Sequence, residues 1–395
     1  MTELNHLIND YAKRLHQRMA GMNCPEPGTP ESNADIGKRL RNVLGIKNEW
    51  VPEIHAEVIE HRVCDGIEVK SLRFVSWSNF FGTATFYLPA NASAAVLLAP
   101  GHHPRSKFAP DYQRMAQILA SGGIAVLMPD VIGSGERIVQ GHTNVPNVLD
   151  CGTTLGGLIA LEDSAWLDWL QRNCGFEQVG ALGNSGGGQA VLLLCALWPE
   201  KLALAAPSGF PGTFEFTARK TRRLCACSIM PGIVGTLEMY HCLGCMYPKP
   251  LLIGSGEGDP MFPRDQVLTL NLQLAALYGQ SGNYAMALTS GGHSWGEDRE
   301  RYERIANFIF NHFGQSERTL EKLPQPFFSN TYSTCNLPKE GIGVDELASR
   351  LTGKPLRGIR HLWEIFPGPS PQNGLSDEMR HICTQLESFL HSWDK

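Results

Sequence analysis

The sequence has no apolar run of the about 18 residues that a membrane-spanning helix needs, so a helical membrane protein is excluded. It has no Lys/Arg run of the kind that tracks phosphates, and its net charge of -5 argues against nucleic-acid binding by bulk electrostatics. The opening residues, Met1-Thr-Glu-Leu-Asn-His6, lack the basic-then-apolar profile of a secretory leader, which points to a cytoplasmic protein. Eleven cysteines is an odd number spread over 395 residues, a pattern that fits reduced thiols rather than a disulfide framework. With 43% hydrophobic and 18% charged residues, what remains is an ordinary globular chain long enough for a large core.

The most informative stretch runs from Val179 to Ala190 and continues as the apolar segment Val191–Trp198. Inside it, Gly183-Asn-Ser185-Gly-Gly187 matches G-x-S-x-G, a sharp strand-to-helix turn that leaves its serine exposed at the tip. Glycines beside that serine let strand and helix approach without a Cβ in the way. The helix that follows points its N-terminus at the same spot, so the Gly186 amide can donate to an oxyanion beside Ser185. No Lys-Ser/Thr pair follows these glycines, which excludes a P-loop.

The rest of the chain supplies a scaffold for that turn. Leu4, Leu7, Ile8, Tyr11, Leu15 and Met19 recur at helical spacing, whereas residues 22–35 read as a turn-rich connector. Segments 54–63, 67–77 and 80–88 alternate as antiparallel strands. Continuous apolar runs then appear at Ala94–Ala99, Ile124–Met128, Val179–Leu182, Leu202–Ala206, Pro250–Ile253 and Tyr284–Leu288, with helical sequence at about 110–121 and 155–172. Buried strands alternating with helices predict an α/β fold with a doubly wound, mostly parallel sheet, whose ligands bind at the carboxyl ends of the strands.

Two loops at such ends carry the partners a serine needs. Serine is a weak nucleophile until an imidazole accepts its proton, and the imidazole needs a carboxylate to hold its tautomer. The loop Gly254–Pro263 offers Asp259, with Glu257 as a rival acid, and Ser290–Trp295 offers His293 between small residues. Ser185, Asp259 and His293 stand in the chain order that α/β-hydrolases use. A second oxyanion donor is expected in Pro100-Gly-His-His103, from the His102 amide or, next, that of His103.

From about Ala94 to Phe313 the chain resembles the α/β-hydrolase superfamily, most closely its dienelactone-hydrolase-like and acetyl-xylan-esterase-like branch. The resemblance rests on Pro100-Gly-His-His103, Asp130-Val-Ile-Gly-Ser-Gly-Glu-Arg137, Gly183–Gly187, Asp259-Pro-Met-Phe-Pro263 and Gly292-His293. Cys225–Gly232 followed by Glu238-Met239 resembles an insertion carried by that branch. It implies Ser185 as nucleophile, Asp259 as acid and His293 as base, in agreement with the residues read by themselves. Residues 1–50 and 320–395 lie outside it.

Three regions follow: a helical extension over 1–50, a hydrolase domain over 51–318 with a lid-like insertion at 208–247, and a C-terminal extension over 319–395 with a helix near 376–392. The terminal helices are expected to pack on the main domain or on a second copy in a homo-oligomer. Phe210, Glu238, Trp295 and the His103 side chain are candidates for substrate contact. Cys225-x-Cys227 and Cys242-x-x-Cys245, with His241 between, invite a zinc reading; the first pair is too close for a paired knuckle, so buried or loop thiols are expected, with no metal and no cofactor. Glu136 and Arg137 are expected to form an internal ion pair, and Asp163, Trp166, Asp168 and Trp169 to provide core plus a solvated helix face. The expected activity is hydrolysis of a small or medium-sized carboxylic ester through an acyl-enzyme. The same triad would also serve C–C, lactone, thioester or peptide cleavage, and a non-catalytic binding protein on this fold is the reading from another class.

Overall fold

The computed structural model describes residues 2–143, 145–329, 333, 335–370 and 374–393, with side chains from residue 5 onward, so Leu4 of the first helical stripe lies outside the described side chains. Nine strands form one sheet: β1 (His55–Cys64), β2 (Ile67–Val75), β3 (Phe81–Leu88), β4 (Ala94–Ala99), β5 (Ile124–Pro129), β6 (Gln178–Asn184), β7 (Leu204–Ser208), β8 (Leu251–Gly256) and β9 (Tyr284–Thr289). Their order is β1-β2-β3-β5-β4-β6-β7-β8-β9. β1 to β3 pair antiparallel, β3 joins β5 antiparallel, and β4 to β9 run parallel. The mostly parallel α/β sheet expected from the apolar runs is what forms.

The helices are α1 (Thr2–Ala20), α2 (Pro30–Leu44), α3 (Pro110–Ser121), α4 (Pro146–Asp150), α5 (Leu155–Arg172), α6 (Gly186–Leu197), α7 (Phe214–Ala218), α8 (Met239–Gly244), α9 (Arg264–Tyr278), α10 (Arg299–His312), α11 (Val344–Thr352) and α12 (Asp377–Ser388). Strand side chains alternate between the two faces. In β4, Ala94, Val96 and Leu98 pack under α3 and α10, whereas Ala95, Leu97 and Ala99 face the layer of α2, α5, α6 and α9. That second layer explains α6, which is buried from Gly187 to Leu197 on every side. A helix apolar all round needs neighbours all round. Each of its leucines contributes roughly 1.5–3 kcal/mol by leaving water.

The connector expected at 22–35 ends early. Thr29 caps α2 by accepting from the Ser32 amide at 3.2 Å, Pro30 starts the helix, and Gly45 closes it at φ 61°. The turn residues of this stretch are helix-capping residues. Behind the cap, Ile36, Leu40, Val43 and Leu44 form the buried stripe of α2.

Both termini sit on the segment between β7 and β8. The Tyr11 hydroxyl donates to the Ala218 carbonyl at 3.3 Å, and the Gln385 side chain bonds the backbone of Arg222 and Leu224. Arg14 pairs with Glu387, joining α1 to α12. The proline-rich stretch after α10 is also tied down, with the Gln113 side chain accepting from the Phe328 amide at 2.8 Å. Among the described residues no helix is long and apolar enough to cross a membrane.

Glu136 and Arg137 do not pair with each other. Glu136 takes the buried Lys107, which also meets Asp130, while Arg137 forks onto Glu162 at 2.5 and 3.0 Å. Three buried ion pairs, two of them sharing Lys107, thus fix the loops that follow β4 and β5, each charge facing a partner as burial requires. Asp163 is another correction: it is buried, not on a solvated face, and lines a cavity with Val131 and Ile132 of the loop after β5 and with Gln189, Ala190 and Leu193 of α6.

Candidate active site

Ser185 occupies the junction of β6 and α6 at φ 59°, ψ −120°, a conformation that costs a non-glycine residue on the order of 1–3 kcal/mol. Two bonds hold it there: its amide donates to the Ser208 carbonyl and its carbonyl accepts from Gln189, both at 2.9 Å. A Cβ on Gly183 would run into the backbone of Gly187, and one on Gly187 into that of Ala99. The glycines let β6, α6 and the end of β4 close on one point. Its hydroxyl is left half-buried at the carboxyl edge of the sheet.

The loop after β9 brings His293 to that hydroxyl. His293 Nε2 lies 2.8 Å from Ser185 Oγ, and His293 Nδ1 lies 2.8 Å from Asp259 Oδ2. Asp259 is 4% exposed, and its other oxygen accepts from the amides of Met261 and Phe262 at 2.6 and 3.3 Å. Those amides keep the carboxylate aimed at the ring. The rival acid is elsewhere: Glu257 is exposed and accepts from Arg264 Nε at 3.2 Å. With Asp259 accepting the Nδ1 proton, Nε2 is left free to accept a proton from the serine.

The loop after β4 lies against the turn, since a Cβ on Gly101 would sit 3.0 Å from that of Ser185. The Gly101 amide is spent on the Tyr112 hydroxyl at 2.7 Å. The Gly186 amide starts α6, and neither it nor the His102 and His103 amides has an acceptor among the described residues. The His102 ring packs over Gly186, where a Cβ would stand 2.9 Å from its Nδ1.

The four candidates for substrate contact fare differently. Phe210 follows the strand end beside the turn, its Cβ 3.3 Å from where one on Gly188 would be, with its ring 5.0 Å from that of Phe262. The His103 ring is occupied locally, accepting from the Arg105 amide at 3.0 Å. Glu238 spends its carboxylate on the start of α7, accepting from the Phe214 and Glu215 amides at 2.6 and 3.1 Å, and burial pushes its pKa up to about 7. Trp295 is 1% exposed, between Tyr112 and Tyr302, and donates to Ser208 Oγ at 3.0 Å. Glu238 and Trp295 therefore serve as packing and capping groups, a correction to their reading as substrate contacts.

Two positioning residues carry no local signal. The Asn184 side chain donates to the His293 carbonyl at 3.3 Å. Arg301, fully buried on α10, donates to the carbonyls of Gly292 and Ser294 at 2.9 and 3.3 Å, one on each side of His293. Of the two cysteine pairs, Cys242 and Cys245 are buried in the core with His241, whose Nδ1 accepts from the Glu238 amide.

No protein-family model matches the sequence, and neither does any curated protein. Solved structures do match. Methylesterase BT1017 aligns over 87% of this chain and 78% of its own, at 17% identity and a TM-score of 0.63. The glucuronoyl esterase from Solibacter usitatus aligns over 72% of this chain and 92% of its own, at 14% identity and a TM-score of 0.55. At identities this low the likeness is one of fold.

Proposed function

The chain has the α/β-hydrolase fold, and on that scaffold we propose that it hydrolyses a small or medium-sized carboxylic ester through an acyl-enzyme on Ser185. The observation that carries this reading is the unbroken relay from Asp259 through His293 to Ser185, with both contacts to the imidazole at 2.8 Å. The esterases that share the fold support the choice of an ester bond.

In this reading Ser185 Oγ attacks the ester carbonyl as His293 Nε2 takes its proton, and Asp259 stabilises the imidazolium that forms. The carbonyl oxygen becomes an oxyanion and accepts from the Gly186 and His102 amides, which need no rearrangement because they are not spent on the protein itself. His293 then protonates the leaving alcohol, and water, activated by the same imidazole, releases the acid. Residues 208–247 act as the lid, and Phe210 lines the acyl side of the pocket. Electrostatic preorganisation, water exclusion and proton transfer thus each have assigned residues.

The test is hydrolysis of p-nitrophenyl esters of graded acyl length, together with fluorophosphonate labelling. Wild type is expected to turn over and to be labelled on Ser185, and Ser185→Ala to lose both while remaining folded. Wild-type turnover in Ser185→Ala would overturn the mechanism.

A further inference from the structure

Beside the hydroxyl relay, four side chains from distant parts of the chain converge. His102 comes from the loop after β4, His142 from the loop after β5, and Cys225 and Cys227 from the inserted segment. One donor atom from each lies within 4.8 Å of all the others. His102 Nε2 is 2.8 Å from His142 Nε2 and 3.2 Å from Cys227 Sγ. Both cysteines are free thiols.

Proton bookkeeping narrows what this cluster can be. His142 Nδ1 lies 2.6 Å from the Ile132 carbonyl, which can only accept, so Nδ1 carries the proton and Nε2 turns a lone pair inward. A backbone carbonyl fixing one ring nitrogen while the other faces a cluster is the arrangement metal-bound histidines use. A proton on His102 Nε2 can satisfy His142, but it leaves the Cys225 and Cys227 thiols only each other and the Ser228 hydroxyl, 3.9 Å from Cys227 Sγ, as acceptors. A cation at the centre satisfies all four donors together.

We propose that His102, His142, Cys225 and Cys227 form a closed structural zinc site that joins the inserted segment to the loops after β4 and β5. Zinc at about 2.0–2.1 Å from nitrogen and 2.3 Å from sulfur needs donor atoms roughly 3.3–3.8 Å apart in a tetrahedron, a spacing that lies between the 2.8 Å of the His102–His142 pair and the 4.8 Å that bounds the cluster. Two imidazoles and two sulfurs select zinc over magnesium or calcium, which take oxygen. Binding displaces one proton from each thiol, so Zn²⁺ with two thiolates is neutral overall and suits a site where His142 and Cys227 are buried. His102 is exposed and Cys225 half-exposed, which leaves the ion a way in. With four protein ligands no position is open for substrate, so the ion acts through position alone. It fixes the His102 ring on Gly186 and, with it, the loop that carries the His102 amide. The C-x-C spacing that argued against a knuckle is no obstacle, because the other two ligands come from other loops.

The full-length chain is purified and its zinc content measured, and the zinc-free protein is titrated with cobalt(II) as a spectroscopic probe. Expected are one equivalent of zinc per chain, a thiolate-to-cobalt charge-transfer band, and loss of both in Cys225→Ser/Cys227→Ser but not in Cys174→Ser. No metal and no band in wild type would overturn the site, as would a band that survives the double substitution. If that variant fails to fold, wild type still decides: zinc should protect Cys225 and Cys227 from alkylation by iodoacetamide, and equal labelling with and without zinc refutes the proposal. None of these readouts requires ester turnover, so failure of the site and failure of the esterase reading are separable.

Discussion

The side chain of Asn184 donates to the main-chain carbonyl of His293 at 3.3 Å, so the residue before Ser185 ties down the loop that carries His293. Its effect should appear in the chemical step. Asn184→Ala leaves the His293 loop without this tie, and a bond of about 1–2 kcal/mol corresponds to roughly a 5- to 30-fold loss in kcat with little change in KM. Steady-state kinetics on a p-nitrophenyl ester measures it. An unchanged kcat would mean that the loop is held without Asn184.

Asp259 and Glu257 lie two positions apart on one loop, yet only Asp259 reaches the imidazole. Asp259→Asn replaces an oxygen that accepts the Nδ1 proton with an amide that can favour the wrong tautomer, an effect of about 10⁴ in kcat where it has been isolated in a serine protease. Glu257→Gln is expected to leave kcat near wild type, since it removes only an exposed pair with Arg264. The same assay on both variants assigns the acid; a larger loss in Glu257→Gln reverses the assignment.

Much of this site is readable from the sequence because its parts are local. Gly183–Gly187 specifies its own turn, and Asp259 and His293 sit in short loops after apolar strands, whose alternation with helices predicts a parallel sheet with its ligand-binding loops at the carboxyl ends. What escapes is set by long-range packing. Arg301 is spelled like a surface residue on a charged helix and is fully buried, its guanidinium meeting Thr289 at the end of β9 and the loop around His293. Asp163 is spelled like a surface residue on α5, and only the loop after β5 and α6, distant in sequence, bury it. The cysteine pairing fails for the same reason: the neighbours of Cys227 are His102 and His142, which no spacing rule connects to it.

Arg301 gives the sharpest case of a distant positioning group. Its Nη1 donates to both the Gly292 and the Ser294 carbonyls, while its Nη2 pairs with Asp298 at 2.9 Å. Arg301→Met removes one partner of a largely buried ion pair and frees both carbonyls, so destabilisation of about 3–5 kcal/mol is expected. Where the variant remains folded, kcat should fall more than KM rises. Arg301→Lys keeps the charge without the fork and should recover stability better than activity. Chemical denaturation paired with kinetics separates the two effects; equal recovery of both by lysine would argue against a geometric role.

Asp163 links the core to pH. Burial, then the neighbouring Glu162 charge, pushes its carboxyl up to about 8, against the opposing pull of Arg137. In the unfolded chain the same group titrates near 3.9. Between those two values the unfolded state has released its proton while the folded state has not, so this group's contribution to stability is complete below about pH 4 and declines as pH rises toward 8. Asparagine has nearly the same shape and does not titrate. Asp163→Asn should therefore differ least from wild type at pH 5 and gain on it by pH 8, by on the order of 1–3 kcal/mol once local relaxation is allowed for. Urea unfolding of both proteins at the two pH values measures the difference. A gain of equal size at pH 5 and pH 8 would show that the benefit comes from packing and that Asp163 does not titrate in this range.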